Sequence, residues 1–158
     1  MKFSHLPTLS LIACCSVFLG CATAGPTVLP GTPAIKLNLD REYSVIQATQ
    51  KDSKFQAFMI AAKDDNSSGV IMIGTGGFQK TEASIRKEYG QPTKSAGTVN
   101  GTPISWWDYS DKNHLYSTGS VTLTDSQGKK HPFYFDLVAN SAERMQALKK
   151  ALGKISFE

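Results

Sequence analysis

Along most of this chain polar and apolar positions alternate, and only two stretches settle into a helical period. Ile35, Leu37 and Leu39 are separated by Lys36, Asn38 and Asp40, the period-two pattern of a strand with one wet face. Tyr43 to Thr49 and Phe55 to Ala62 continue the pattern on either side of Gln50-Lys51-Asp52-Ser53-Lys54, a polar run suited to a hairpin connection. Phe55 to Ala62 is apolar on both faces. So is Val70-Ile71-Met72-Ile73, after the turn Asp64 to Gly69, which predicts a central strand covered above and below. Ile104 to Tyr109, Ser120 to Thr124 and Pro132 to Val138 are three more predicted strands, the last two joined by the turn Asp125-Ser126-Gln127-Gly128.

The first helical stretch starts at Thr81, a capping residue. It carries Glu82 and Arg86 four apart, sets Ile85 and Tyr89 on one side, and stops at Gly90 and Pro92. In the second, Asn140 or Ser141 caps, Glu143 lies in the first turn, Met145, Leu148 and Leu152 form a stripe, and Gly153 ends it. Ile155-Ser156-Phe157 can then return to the sheet edge. The order strands, helix, strands, helix, with hairpin-length links, predicts one α+β domain over 35–158 with a mainly antiparallel sheet and two helices.

Ahead of the domain, Lys2 precedes the mostly apolar run Leu9 to Gly20, shorter than the roughly 18 apolar residues a spanning helix needs. Closing on Phe18-Leu19-Gly20-Cys21, it resembles a bacterial lipoprotein signal. The resemblance implies that residues 1–20 are removed and that Cys21 receives fatty acyl chains such as palmitate. Leu11-Ile12-Ala13-Cys14 offers a second match on a shorter run that contains Pro7, so Cys14 stays open as the alternative. Ala22, being no aspartate, implies the outer membrane, with the protein facing the periplasm. Residues 21–34 hold Pro26, Pro30 and Pro33 among small uncharged residues. Such a tether extends at about 3.1 Å per residue. With Cys21 acylated no thiol is left for a disulfide, and the fold rests on its core.

The full chain has 17 basic and 13 acidic residues; residues 1–20 contain one base, Lys2, and no acid, so the processed chain keeps 16 and 13. Adjacent lysines occur only at Lys129-Lys130 and Lys149-Lys150, and no basic stripe tracks a phosphate backbone, which argues against a nucleic-acid partner.

No complete catalytic or ligand set emerges. Gly74-Thr75-Gly76-Gly77 lies between a strand and a helix, where backbone amides can cradle phosphate, but Gln79 stands where a dinucleotide fingerprint needs glycine. His114 and His131 have Asp108, Asp111 and Asp136 as sequence neighbours, without a metal-ligand spacing. There is no G-x-S-x-G elbow, and Asp64-Asp65 belongs to a turn. Catalytic residues, a metal and a cofactor are therefore not predicted.

The aromatic residues carry more information. In Trp106-Trp107-Asp108-Tyr109 alternation puts the two tryptophans on opposite faces of a strand, and Tyr134 is similarly opposed to Phe133 and Phe135. Either both tryptophans are covered or one is presented to a partner. On the second alternative Trp106, Trp107, Tyr109 and Tyr134 are the candidate partner-binding residues.

Tyr89-Gly90-Gln91-Pro92-Thr93, a linker with Gly97 and Gly101, and then Trp106-Trp107-Asp108-Tyr109 resemble the helix, Gly-x-Pro turn and W-x-Y strand of the SmpA/OmlA lipoproteins. A weaker likeness, to PsbP/Mog1-like domains, lies in the closing helix and strand, Met145 to Phe157. Both resemblances imply binding or assembly modules and transfer no catalytic residues. The expectation is a lipid-anchored envelope protein that binds another envelope component without catalysis. An exported inhibitor or immunity protein, plugging an enzyme with the polar stretches Thr93 to Thr102 or Ser110 to Tyr116, is the rival. An envelope hydrolase using His114 or His131 is the third reading.

Overall fold

The alternation builds a seven-stranded antiparallel sheet and a smaller one that lies against it. The computed structural model describes residues 27–29, 34–37, 43–47, 55–63, 66–75 and 79–157. Cys14, Cys21, the signal, Asp64-Asp65 and Gly76-Gly77 lie outside the described residues. The elements are β1 (Thr27–Leu29), β2 (Ile35–Leu37), β3 (Tyr43–Gln47), β4 (Phe55–Ala62), β5 (Ser67–Gly74), α1 (Glu82–Tyr89), β6 (Thr93–Val99), β7 (Thr102–Ser110), β8 (Leu115–Thr124), β9 (Lys130–Ala139), α2 (Ala142–Leu152) and β10 (Ser156–Phe157). The large sheet runs β3-β4-β5-β9-β8-β7-β6, and the small one β1-β2-β10. Among the described residues, two helices with a mostly antiparallel sheet match the α+β expectation.

Both helices are set by their caps. The Thr81 hydroxyl accepts from the Ser84 amide at 3.2 Å while the Ser84 hydroxyl accepts from the Thr81 amide at 2.9 Å, a reciprocal box that starts α1. Ser141, rather than Asn140, caps α2 by accepting from the Arg144 amide at 3.2 Å. The buried stripe of α2 is Met145, Leu148, Ala151 and Leu152.

One face of the large sheet carries the core. Phe58, Ile60, Ile71, Ile104, Trp106, Phe133, Phe135 and Leu137 pack there with the α2 stripe and with Ile35 and Leu37 of the small sheet. Glycines make room for the largest member. A Cβ on Gly97 would stand 2.7 Å from Trp106 Nε1, and one on Gly119 would stand 2.9 Å from Trp106 Cε3. Two neighbouring strands thus lack side chains where the indole lies, which is a packing reason for glycine inside strands.

The structure departs from the sequence expectations in several elements. Ile35 to Leu37 does not extend the large sheet; with Ile35 and Leu37 facing inward it pairs with β1 and β10 and roofs the core. β1 lies within the stretch expected to be a tether, and Ile155 to Phe157 reaches β2 rather than the large sheet. Thr93 to Thr102, expected as a loop, is mostly β6, joined to β7 by Asn100-Gly101. Both residues have positive φ, 47° and 74°, as the two central positions of a tight hairpin turn require. With Ser110 to Tyr116 also reduced to a short connection between β7 and β8, neither stretch protrudes as a long loop.

Candidate binding face

The second face of the large sheet is covered only in part, by α1, which packs against β7 through Tyr89. Cross-strand register defines its central row: Ile46, Met59, Val70, Asp136, Thr118, Trp107 and Lys94, one residue from each strand. β5 is accordingly covered on one face only, because Val70 and Met72 lie on this side and stay partly exposed. The expectation of cover on both faces fails there.

Residues 79–81, just before α1, cross the middle of this face as a strap. The Lys80 amide donates to the Tyr134 hydroxyl at 3.1 Å, and its ammonium donates to the Tyr109 hydroxyl at 3.0 Å and pairs with Asp136 Oδ2 at 3.1 Å. Thr118 Oγ1 and the Tyr134 hydroxyl share a 2.6 Å hydrogen bond, and Thr118 also donates to the Phe135 carbonyl at 3.0 Å. Burial works against the Lys80 charge, yet the hydrogen bonds to Tyr109 and Asp136 outweigh it and raise the ammonium above its ordinary pKa. Burial pushes the Tyr109 phenol up to about 12, against the pull of Lys80. The Lys80 ammonium and the neutral Tyr109 phenol that hold the strap keep that charge state through the physiological range.

On one side of the strap lies a cleft of about 440 Å³, bordered by Gln79, Thr81, Lys94, Ser105, Trp107 and Ser120. It is hydroxyl-rich, with the Lys94 ammonium 5.3 Å from the centre of the Trp107 ring. On the other side a cleft of about 190 Å³ is bordered by Met59, Ser68, Val70, Asp136 and Val138. Beyond it Ile46 and Met59, register partners on β3 and β4, are 55% and 44% exposed. At the end of β7 and β8, Tyr89 of α1 closes against Tyr109 at 4.8 Å and Tyr116 at 5.4 Å.

The four aromatic candidates separate. Trp106 is 2% exposed, with its ring centre 5.6 Å from that of Phe135, so it is a core residue and corrects the expectation that it contacts a partner. Tyr109 and Tyr134 lie on the open side but are buried beneath the strap, their hydroxyls engaged by Lys80; they support the surface rather than form it. Trp107 is half-buried and borders the larger cleft. Of the two tryptophans, Trp106 is covered and Trp107 stays partly exposed.

The histidines serve turns. His131 Nε2 stands 2.8 Å from Asp125 Oδ2 in a buried pair, while the other oxygen of Asp125 accepts from the Gln127 and Lys129 amides at 2.9 Å each. Asp111 Oδ1 accepts from the Asn113 and His114 amides at 2.8 Å, with the exposed His114 ring 3.7 Å away. Asp136 meets neither histidine in these contacts; it holds Lys80. Among the described residues no group of three or more His, Cys, Asp or Glu could hold a metal ion. Asp108, the last candidate neighbour, pairs with Lys149 at 2.7 Å and accepts from Ser95 at 2.5 Å on the covered side. Compared with family models, curated proteins and solved structures, the chain matches none. No relative therefore informs the role of this face.

Sequence reasoning missed Lys80 as a structural cation, Lys94 as the neighbour of Trp107, and the exposed pair Ile46 and Met59. The parity of Met59 within Phe55 to Ala62 placed it on a definite face. What was not readable was that α1 covers this face at β7 and leaves Ile46 and Met59 exposed.

Proposed function

We propose that this chain is a non-catalytic binding module of the cell envelope, a single domain anchored to the outer membrane through acylated Cys21 and facing the periplasm, which engages an envelope protein through the open face of its large sheet. The observation that carries this reading is a half-buried tryptophan, Trp107, beside a strap held down by Lys80, on the face that α1 covers only in part. Aromatic side chains whose surroundings are already ordered make good contact residues, because little side-chain entropy remains to be lost on binding. The uses of Asp125 and Asp111 at turns favour binding over hydrolysis, since their oxygens already have amide partners.

The anchor and the face are tested separately. Cys21→Ser should move the protein from the membrane to the soluble envelope fraction, whereas Cys14→Ser should not. Trp107→Ala should reduce recovery of crosslinked envelope partners without lowering the amount of protein. Equal recovery with Trp107→Ala would overturn the proposed face and leave the anchor standing.

A further inference from the structure

We infer that the outer edge of β3 is a self-pairing interface, through which two copies of this chain join antiparallel into one continuous sheet. The inference goes beyond the open-face reading and does not depend on it. Its starting point is a contrast between the two ends of the large sheet.

At one end β6 is protected. It carries the exposed Lys94, its Ser95 accepts from Lys149 of α2 at 3.5 Å, and its closing turn is tied to the end of α2 by the Asn100 amide donating to the Gly153 carbonyl at 3.0 Å. Charge on an edge and cover from a neighbouring element are standard defences against unwanted strand pairing. Pairing β6 with itself would also bring a lysine from each copy onto one short ladder.

At the other end β3 reads Tyr-Ser-Val-Ile-Gln, with neither charge nor proline. Among the described residues β4 is its only strand partner, so the outer backbone groups of a five-residue strand face away from the sheet. Ile46 on this strand and Met59 beside it are the exposed large hydrophobics among the described residues. Antiparallel pairing about a two-fold axis at Val45 sets Ser44 of each copy opposite Ile46 of the other. Directly opposed residues share a face, so the apolar strips of both copies meet on the same side of the joined sheet. An uncharged strand suits a copy of itself because no like charges are brought together. A partner strand of another protein is the competing occupant.

The test is a photoactivatable phenylalanine analogue placed at Ile46 or, on the opposite edge, at Ala96, in the full chain expressed in cells. Irradiation at position 46 should give an adduct of twice the chain mass that contains only this chain's peptides, and position 96 should give none. Adding Gln47→Lys or Ser44→Lys, both at exposed positions, should abolish the adduct from position 46. The inference is overturned if position 46 gives no self-adduct, if it captures only another protein, or if both edges yield the same amount.

Discussion

The two faces of the large sheet are made from alternate residues of the same strands, yet they are held by different interactions. The covered face is a mainly apolar layer under α2 and the small sheet, with Trp106 in a slot left by Gly97 and Gly119. The open face is ordered by one lysine, one aspartate and four tyrosines, and Ile46, Met59, Val70 and Met72 stay partly in water. Stability therefore concentrates on the first face, and the second is free to change its contacts without unfolding the protein. Tandem tryptophans show the division most sharply, since adjacent residues fall on either side of it.

Substitutions that should divide the faces differ first in size. Leu148→Ala, at a fully buried position, should cost about 2–5 kcal/mol in denaturant unfolding, whereas Met59→Ala on the open side should change stability by less than about 1 kcal/mol. Similar losses at both positions would remove the distinction. Next in size, Gly119→Ala forces a Cβ to within 2.9 Å of Trp106 and 3.1 Å of the Ser105 carbonyl, contacts that a packed indole and a strand backbone cannot easily relieve. Overpacking of this kind should cost about 1–3 kcal/mol and lower the thermal midpoint.

Lys80→Met sharpens the comparison from the open side. It leaves Asp136 without its cation and frees the Tyr109 hydroxyl, but Lys80 and Asp136 are both about one-third exposed, so water compensates much of the loss. The expected cost is about 1 kcal/mol. Hydrogen exchange should rise at residues 79–81 and leave α2 unchanged; faster exchange throughout the core would contradict a local role.

The smallest effect is a pH dependence at the edges of the core. For Asp108, burial opposes ionisation, but hydrogen bonds from Lys149 and Ser95 prevail and lower its pKa. The Asp125 carboxyl is lowered by the His131 hydrogen bond first and by turn amides after it. Both folded values lie below the roughly 3.9 of a free aspartate, so the unfolded chain takes up protons first as pH falls. Their stabilisation is fully present above that unfolded value and is lost as pH descends through the folded ones. Thermal midpoints should thus decline below about pH 4, and Asp125→Asn should make the decline shallower.

Much of this fold was legible because its strands obey strict alternation. Ile104 to Tyr109 and Pro132 to Val138 announce themselves, and Thr81, Gly90 and Gly153 mark helix ends. β6 was not legible from its side chains, since Thr-Lys-Ser-Ala-Gly-Thr-Val lacks a bulky alternating set, although Asn100-Gly101 carried the hairpin signal. The glycine of that strand makes sense only once Trp106 is seen to occupy its space. The strap was hidden for another reason: Lys80 and Asp136 are 56 residues apart, and nothing local to either indicates the other. For the candidate site, alternation separated Trp106 from Trp107, but which of them met α2 depended on the packing of the whole sheet.

Acrylamide quenching of single-tryptophan variants tests that separation most directly. With Trp106→Phe the remaining Trp107 should emit at longer wavelength and quench readily, whereas with Trp107→Phe the remaining Trp106 should emit at shorter wavelength and be shielded. Equal quenching of the two, or a shielded Trp107, would contradict the assignment of one face to the core and the other to recognition.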